Sequence, residues 1–276
     1  MQRLNFMQVW TVRTKRGLLR TMGVRHRAGL AVVAVAAWIG PVAVGDSGAG
    51  ACDRDRLVVA LDIGHTPSSS GATSARGRPE HAFNVDLARR VLAHMHAAGL
   101  DKAALIAEPD AEPDLWDRPR RAAALGAHVL LSIHHDSVQP RYLEHGTLEG
   151  RPARFSRHAA GYSLFVSGKN LFFEQSLAVA RAIGGALGEW GLSPTLHHAE
   201  PIAGENRPLL DRDLGIYDFA DLVVLKAAAM PAVLIEAGVI VHPEEEARLR
   251  DPFHQDILAD AITRGVVEAC GVLMGG

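Results

Sequence analysis

The sequence predicts a single layered α/β domain built on a largely parallel sheet. Two observations carry the prediction. Short apolar runs of strand length alternate with longer segments of helical period, the pattern of strands joined by helical crossovers. Three of the runs also end on a chemically active residue rather than a turn residue: LDIGH on His65, LLSIH on His134 and AVLIE on Glu236. Carboxyl ends of parallel strands gather at a crevice, so polar groups far apart in sequence are expected to meet there.

Leu57 to Ile63 reads as the first buried strand, and Ser68 to Arg78 as a polar, glycine-rich loop. From Glu80 the apolar positions Phe83, Leu87, Val91 and Met95 recur every four residues, a helix with one core face that stops near Gly99. Ala103 to Ala107 is a short strand, Arg118 to Leu125 a helix and Val129 to Ile133 a third strand. Pro140 to Gly161 carries Arg141, Arg151, Arg154 and Arg157 and reads as a long polar insertion, a loop over the strand ends. Tyr162 to Val166 resembles another strand, and Leu171 to Trp190 a helix. His197 to Asp218 is irregular and rich in turn residues. Leu222 to Ala229 looks helical, and Pro231 opens the strand Ala232 to Glu236. Pro243 with Glu244 to Glu246 begins a short helix, and Phe253 to Cys270 closes the chain as a helix. No internal repeat or second domain is visible.

With 276 residues, 48% hydrophobic and 22% charged, the chain has the composition of a globular protein. Its charge is uneven. Residues 1–45 hold seven of the 29 basic residues and no acid, so 22 basic residues face 31 acidic ones in the remainder, a balance of about −9. An acidic domain argues against a nucleic-acid partner, and no glycine-rich phosphate loop offers a nucleotide site. The basic flank up to Arg27, the apolar stretch Ala28 to Ile39 and the small residues after Pro41 have the anatomy of a secretory signal. Cleavage near residue 45 or 51 leaves a domain of residues 52–276 in the periplasm or another extracytoplasmic space; Met22 is an alternative start. A membrane is met only through this leader, if it stays uncleaved, and its apolar core is short for a span. Cys52 and Cys270 are the two cysteines and can pair in an oxidising compartment, although sequence leaves their geometry open.

His65, His134, Glu80 at the start of a helix, and Glu236 are the parts of a catalytic zinc site with one position left open. Each also has a plainer explanation. A histidine after a strand is commonly a hydrogen-bonded structural residue, and Glu80 suits a helix start through the dipole. Glu236 ends a buried strand, where its carboxylate needs a partner. On the residues alone, a zinc site and a structural role stand level. His135 is a competing ligand, but strand neighbours point to opposite faces, so it and His134 are not expected to share a metal. His145, His197, His198 and His242 read as surface or loop residues, and Arg118 as half of a structural ion pair.

The order DIGH, an acid before a helix, SIH and PAVLIE resembles the zinc-dependent N-acetylmuramoyl-L-alanine amidases of the AmiC type. The likeness runs from Leu57 to Cys270 and includes GYSLFVS (161–167) and VVLKAAAMPAVLIEAGVI (223–240). It implies Zn2+ held by His65, Glu80 and His134, a catalytic Glu236, and a single three-layer domain whose mixed, mostly parallel sheet of about six strands is covered by helices on both faces. It implies peptidoglycan as substrate, cleaved at the amide between N-acetylmuramic acid and L-alanine, with an activator protein as a candidate partner and segment 140–161 as a candidate lid. A monomer is expected. The chain departs from the pattern at GHT (64–66) where GHGG is usual, at Ala122–Ala123 where AN is usual, and at SIHHD (132–136) where SIHAN is common. Rival readings are another zinc amidohydrolase or carboxypeptidase acting on small acyl-amino acids, and a non-catalytic peptidoglycan-binding module. The latter has no need of Glu236.

Overall fold

The computed structural model describes residues 52–275; the leader of residues 1–51, with its cleavage sites and the alternative start at Met22, lies outside the described residues. In chain order these form β1 (Val59–Ile63), α1 (Glu80–Ala97), β2 (Ala103–Leu105), α2 (Asp117–Ala124) and β3 (Val129–Asp136). A hairpin follows, β4 (Glu144–Leu148) and β5 (Arg151–Phe155), then β6 (Ser163–Val166) and α3 (Phe173–Glu189). The chain continues with β7 (Leu209–Asp211), β8 (Ile216–Asp218), α4 (Val223–Lys226), β9 (Ala232–Val239), α5 (Pro243–Leu249) and α6 (Pro252–Met274).

Seven strands make one sheet in the order β2-β1-β3-β9-β6-β8-β7. β1 is parallel to β2 and β3, and β3 to β9, while β6 runs antiparallel to β9. The central strands are buried on both faces, which is why their sequences are continuously apolar rather than alternating. Successive side chains nevertheless enter different cores. Val59, Leu61, Ile63, Leu131, Ile133, Val233 and Ile235 join the larger core, with Phe83, Leu87, Val91 and Met95 of α1 and residues of α3 and α6. Ala60, Leu130, Phe165 and Leu234 face a smaller core with Ala122 of α2 and Val224 and Leu225 of α4. The same alternation puts Asp62, Ser132, His134 and Glu236 on the side of the smaller core, although β3 and β9 run on past the expected ends at Ile133 and Glu236, to Asp136 and Val239.

Three segments differ from expectation. Residues 140–161 are not a loop but carry the antiparallel hairpin, with Leu148 paired to Arg151. Its two-residue turn has φ 52° at Glu149 and φ 76° at Gly150, the left-handed pair that a tight hairpin turn requires. Second, β7 and β8 lie in the stretch expected to be irregular, and they raise the sheet from about six strands to seven. Third, α4 is a single turn rather than a helix over 222–229.

The hairpin and residues 72–77 line a cavity of about 730 Å³ that also receives Arg76, Arg151, Arg154 and Arg250. Cys52 and Cys270 form a disulfide with a Cα–Cα distance of 5.2 Å, fastening the segment ahead of β1 to α6. Among the described residues no helix is long and apolar enough to cross a membrane.

Candidate active site

β1 ends at Ile63, and the chain turns at once: Gly64 donates its N–H to Ile133 O, and His65 takes up φ 63°. A left-handed conformation at a non-glycine residue costs on the order of 1–3 kcal/mol and persists only when its surroundings enforce it. Here they do. The Arg118 guanidinium donates to His65 O and Ile63 O, each at 2.6 Å, and to Asp62 Oδ1 at 2.6 Å. Asp62 also accepts from Ser132 Oγ at 2.6 Å, so the buried charge is satisfied on both oxygens. Arg118 is thus the structural ion pair expected, and it holds the turn that carries His65.

The His65 ring comes to Glu80, the first residue of α1. Glu80 Oε2 lies 3.0 Å from His65 Nε2, and Glu80 Oε1 lies 3.1 Å from His134 Nδ1. One ligand atom from each of the three residues falls within 4.8 Å of the others. Burial works to raise the Glu80 carboxyl, but the hydrogen bonds and charge of His134 and His65 outweigh it and hold the group well below the usual carboxylate range. Two glycines make the approach possible. A Cβ on Gly64 would collide with the His134 ring, and one on Gly71, at φ 74°, would collide with Glu80 Oε2 and the His65 ring. Asn84, one turn after Glu80, donates to Gly64 O at 3.1 Å and to Glu80 Oε1 at 3.3 Å. Neither Gly71 nor Asn84 was marked by the sequence. Two imidazole nitrogens and a carboxylate oxygen, with a fourth direction free, are a donor set that suits a catalytic zinc ion.

His65 and His134 open on a cleft of about 430 Å³ bordered by Thr66, Glu112, Leu115 and Leu222. The GHT departure leaves this border ordered, because Thr66 Oγ1 accepts from Ser69 N and Glu112 accepts from both Ser68 N and Ser68 Oγ.

Glu236 on β9 is the register partner of His134 on β3. Its Oε2 is closed off from solvent and has no hydrogen-bond partner among the described residues. Burial, followed by the nearby charges of Asp136 and Glu80, pushes its carboxyl well above the ordinary value. A buried carboxyl group perturbed in this way marks a candidate functional site.

His135 points the other way, as strand alternation requires. Its Nδ1 donates to Asn84 Oδ1 at 2.8 Å, its ring lies against Phe83, and burial brings its pKa down to about 3. His145 sits exposed on β4, and His242 caps α5 by accepting from Glu245 N. His197 and His198 correct the expectation of surface or loop residues. They form a one-turn 3-10 helix (His197–Ala199) and are both buried. Burial lowers His197, and also works against a charge on His198, but Asp136 and Glu205 push His198 up to about 9.

Residues 59–268 match the family model described as N-acetylmuramoyl-L-alanine amidase. The chain belongs to this family. The enzyme accordingly hydrolyses the N-acetylmuramoyl-L-alanine amide of peptidoglycan, and the carboxypeptidase and binding-module readings fall away. It is 26% identical over 220 residues to the N-acetylmuramoyl-L-alanine amidase AmiA of Escherichia coli (strain K12), covering 77% of the chain and 75% of that relative. In fold the enzyme is similar to the solved Ami1 amidase from Mycobacterium smegmatis, with a TM-score of 0.61 at 24% identity over 79% of the chain and 98% of that structure. It is also similar to the CwlD amidase from Clostridioides difficile, solved in complex with the GerS lipoprotein. There the TM-score is 0.58 at 18% identity, over 78% of the chain and 99% of that structure. At such identities these structures speak for the fold alone, which agrees with the seven-stranded sheet between helical layers.

Proposed function

We propose that the enzyme is zinc-dependent, with His65, Glu80 and His134 holding the ion and Glu236 moving the protons of the reaction. The observation that carries this reading is the convergence of the three donor atoms within 4.8 Å beside a carboxylate whose outer oxygen has no partner. Zinc bound there supplies Lewis-acid polarisation of the amide carbonyl and lowers the pKa of water from 15.7 toward ~7. The Glu236 carboxylate takes a proton from the attacking water and then delivers one to the departing amine of L-alanine. Burial and the charges of Asp136 and Glu80 raise its pKa, the direction that suits a group that must hand a proton on as well as take one. His65 Nε2 and His134 Nδ1 both face inward against Glu80, and Arg118, Asn84 and the two glycines fix the turn and helix start that carry these side chains.

Action outside the cytoplasm follows from a wall substrate, and a disulfide between Cys52 and Cys270 fits an oxidising compartment. An accessory protein belongs to the reading as a separable part, motivated by GerS bound to CwlD; full turnover by the isolated chain would remove it. The deciding experiment is mass spectrometry of purified peptidoglycan after incubation with the protein. Free stem peptides beginning at L-alanine, abolished by chelation and restored by zinc, are the expected products. Cleavage that persists after complete metal removal would overturn the zinc assignment.

A further inference from the structure

Two features left aside by the amidase chemistry, Asp136 in SIHHD and the pair His197–His198, meet in one place. Asp136 Oδ2 lies 2.8 Å from His198 Nε2 and 3.5 Å from His197 Nε2, and the three ligand atoms all fall within 4.8 Å of one another. Asp136, His197 and His198 are 7%, 6% and 8% exposed, so the cluster is removed from water. Each imidazole is also anchored from behind. His198 Nδ1 donates to Glu205 Oε2 at 2.8 Å, and Glu205 is in turn held by Gln139 Nε2 at 2.6 Å. His197 Nδ1 lies 2.9 Å from Thr195 Oγ1. Outer nitrogens held by hydrogen-bond partners, with inner nitrogens aimed at one point, are the second-layer arrangement that orients histidines on a metal.

A metal-free ion pair is the competing account, with a charged His198 between Asp136 and Glu205. It explains His198 but leaves His197 Nε2 buried without a hydrogen-bond partner among the described residues, with Asp136 Oδ2 3.5 Å away and already bonded to His198. A buried polar atom left unpaired costs roughly 1–3 kcal/mol, and a shared cation removes that cost. The spacing needs only a small adjustment: donors held at ~2.0–2.1 Å from one ion lie roughly 3–3.5 Å apart, Asp136 Oδ2 and His197 Nε2 stand 3.5 Å apart, and the 2.8 Å between Asp136 Oδ2 and His198 Nε2 would widen on binding.

We propose that Asp136, His197 and His198 form a second divalent transition-metal site, separate from His65, Glu80 and His134. Two imidazoles and one carboxylate suit zinc or another first-row ion. The ion joins the end of β3 to the segment 195–205 that precedes β7. This inference uses none of the three residues assigned to the catalytic ion, so each can fail without the other.

The test is metal content. The full-length protein is stripped with a chelator, equilibrated with zinc and freed of excess, and its zinc per chain is measured. Wild type is expected to hold two. His197→Gln and His198→Phe should each hold one, with melting curves recorded to verify folding, and His65→Ala should hold one at the second site. A wild type that holds one ion, lost on His65→Ala, overturns the proposal; so does a His197→Gln protein that still holds two. Anomalous scattering at the zinc edge from wild-type crystals grown with two equivalents of zinc needs no variant. A peak among Asp136, His197 and His198 supports the site, and a peak beside His65 alone sinks it.

Discussion

His134 and Glu236 are register partners on adjacent parallel strands, β3 and β9, and both sit on the side of the smaller core. Neighbouring positions, different jobs: one has its Nδ1 against Glu80, the other an oxygen with no partner. Substitution should therefore split metal binding from turnover. Glu236→Gln keeps the shape of the side chain and is expected to retain zinc while losing about 10²–10⁴ in kcat. His134→Ala is expected to lose the ion held with His65 and Glu80, and the activity with it. Zinc content and stem-peptide release measured on the same preparations check both, and a Glu236→Gln enzyme working at wild-type rate removes Glu236 from the reaction.

The ion pair of Arg118 with Asp62 should matter for both stability and metal. Arg118→Met leaves a buried carboxylate uncompensated, which costs about 3–5 kcal/mol. It also releases His65 O from its donor, and loss of an outer contact to a ligand typically weakens metal affinity by about 10–100-fold. Adding Asp62→Leu should recover much of the stability, because the orphaned charge is gone, yet leave zinc affinity low. Urea unfolding and zinc titration of the single and double variants separate the two effects. If the double variant binds zinc as wild type does, Arg118 does not position His65.

What was legible in the sequence, and what was not, follows from how local each signal is. His65, His134 and Glu236 stood out because each interrupts an apolar run where a turn residue belongs, and Glu80 because it opens the Phe83–Leu87–Val91–Met95 stripe. Those signals lie within a few residues of sequence. Gly71 and Asn84 could not be seen, because their meaning lies in contacts with His65 and with Gly64 O that only the folded chain creates. His197 and His198 looked like surface residues for the same reason: the partner Asp136 is 62 residues from His198. The hairpin escaped notice because β4 is exposed at nearly every position and shows no apolar face, and because Glu149–Gly150 is not the Asn-Gly turn that advertises a hairpin. Three-residue strands such as β7 and β8 are too short to display a period at all.

Two glycines offer a matched comparison. Gly71 and Gly77 both have positive φ, 74° and 87°, but a Cβ on Gly71 would meet Glu80 and His65, while one on Gly77 meets nothing within 4 Å. Gly71→Ala and Gly77→Ala should each cost about 1–3 kcal/mol through backbone strain. Only Gly71→Ala should also weaken zinc binding, because its methyl group occupies the space in which the ligand atoms meet. Equal zinc affinity in the two variants would show that the His65–Glu80 approach tolerates the added carbon.

The disulfide makes the last prediction. Cys52 and Cys270 are separated by 218 residues, so the bond restrains nearly the whole domain when it unfolds. Closing so long a loop is worth about 2–5 kcal/mol, which for a domain of this size corresponds to roughly 4–20 °C in Tm. Reduction, or the pair Cys52→Ser and Cys270→Ala, is therefore expected to lower the melting temperature by that amount. Neither cysteine touches His65, Glu80 or His134, so zinc content at room temperature should stay unchanged. Thermal unfolding with and without reductant, beside a zinc measurement, reads both outcomes. Unaltered melting in the double variant would mean that α6 holds the chain start through packing alone, with Cys270 inert within the larger core that it shares with Ile262 and Leu273.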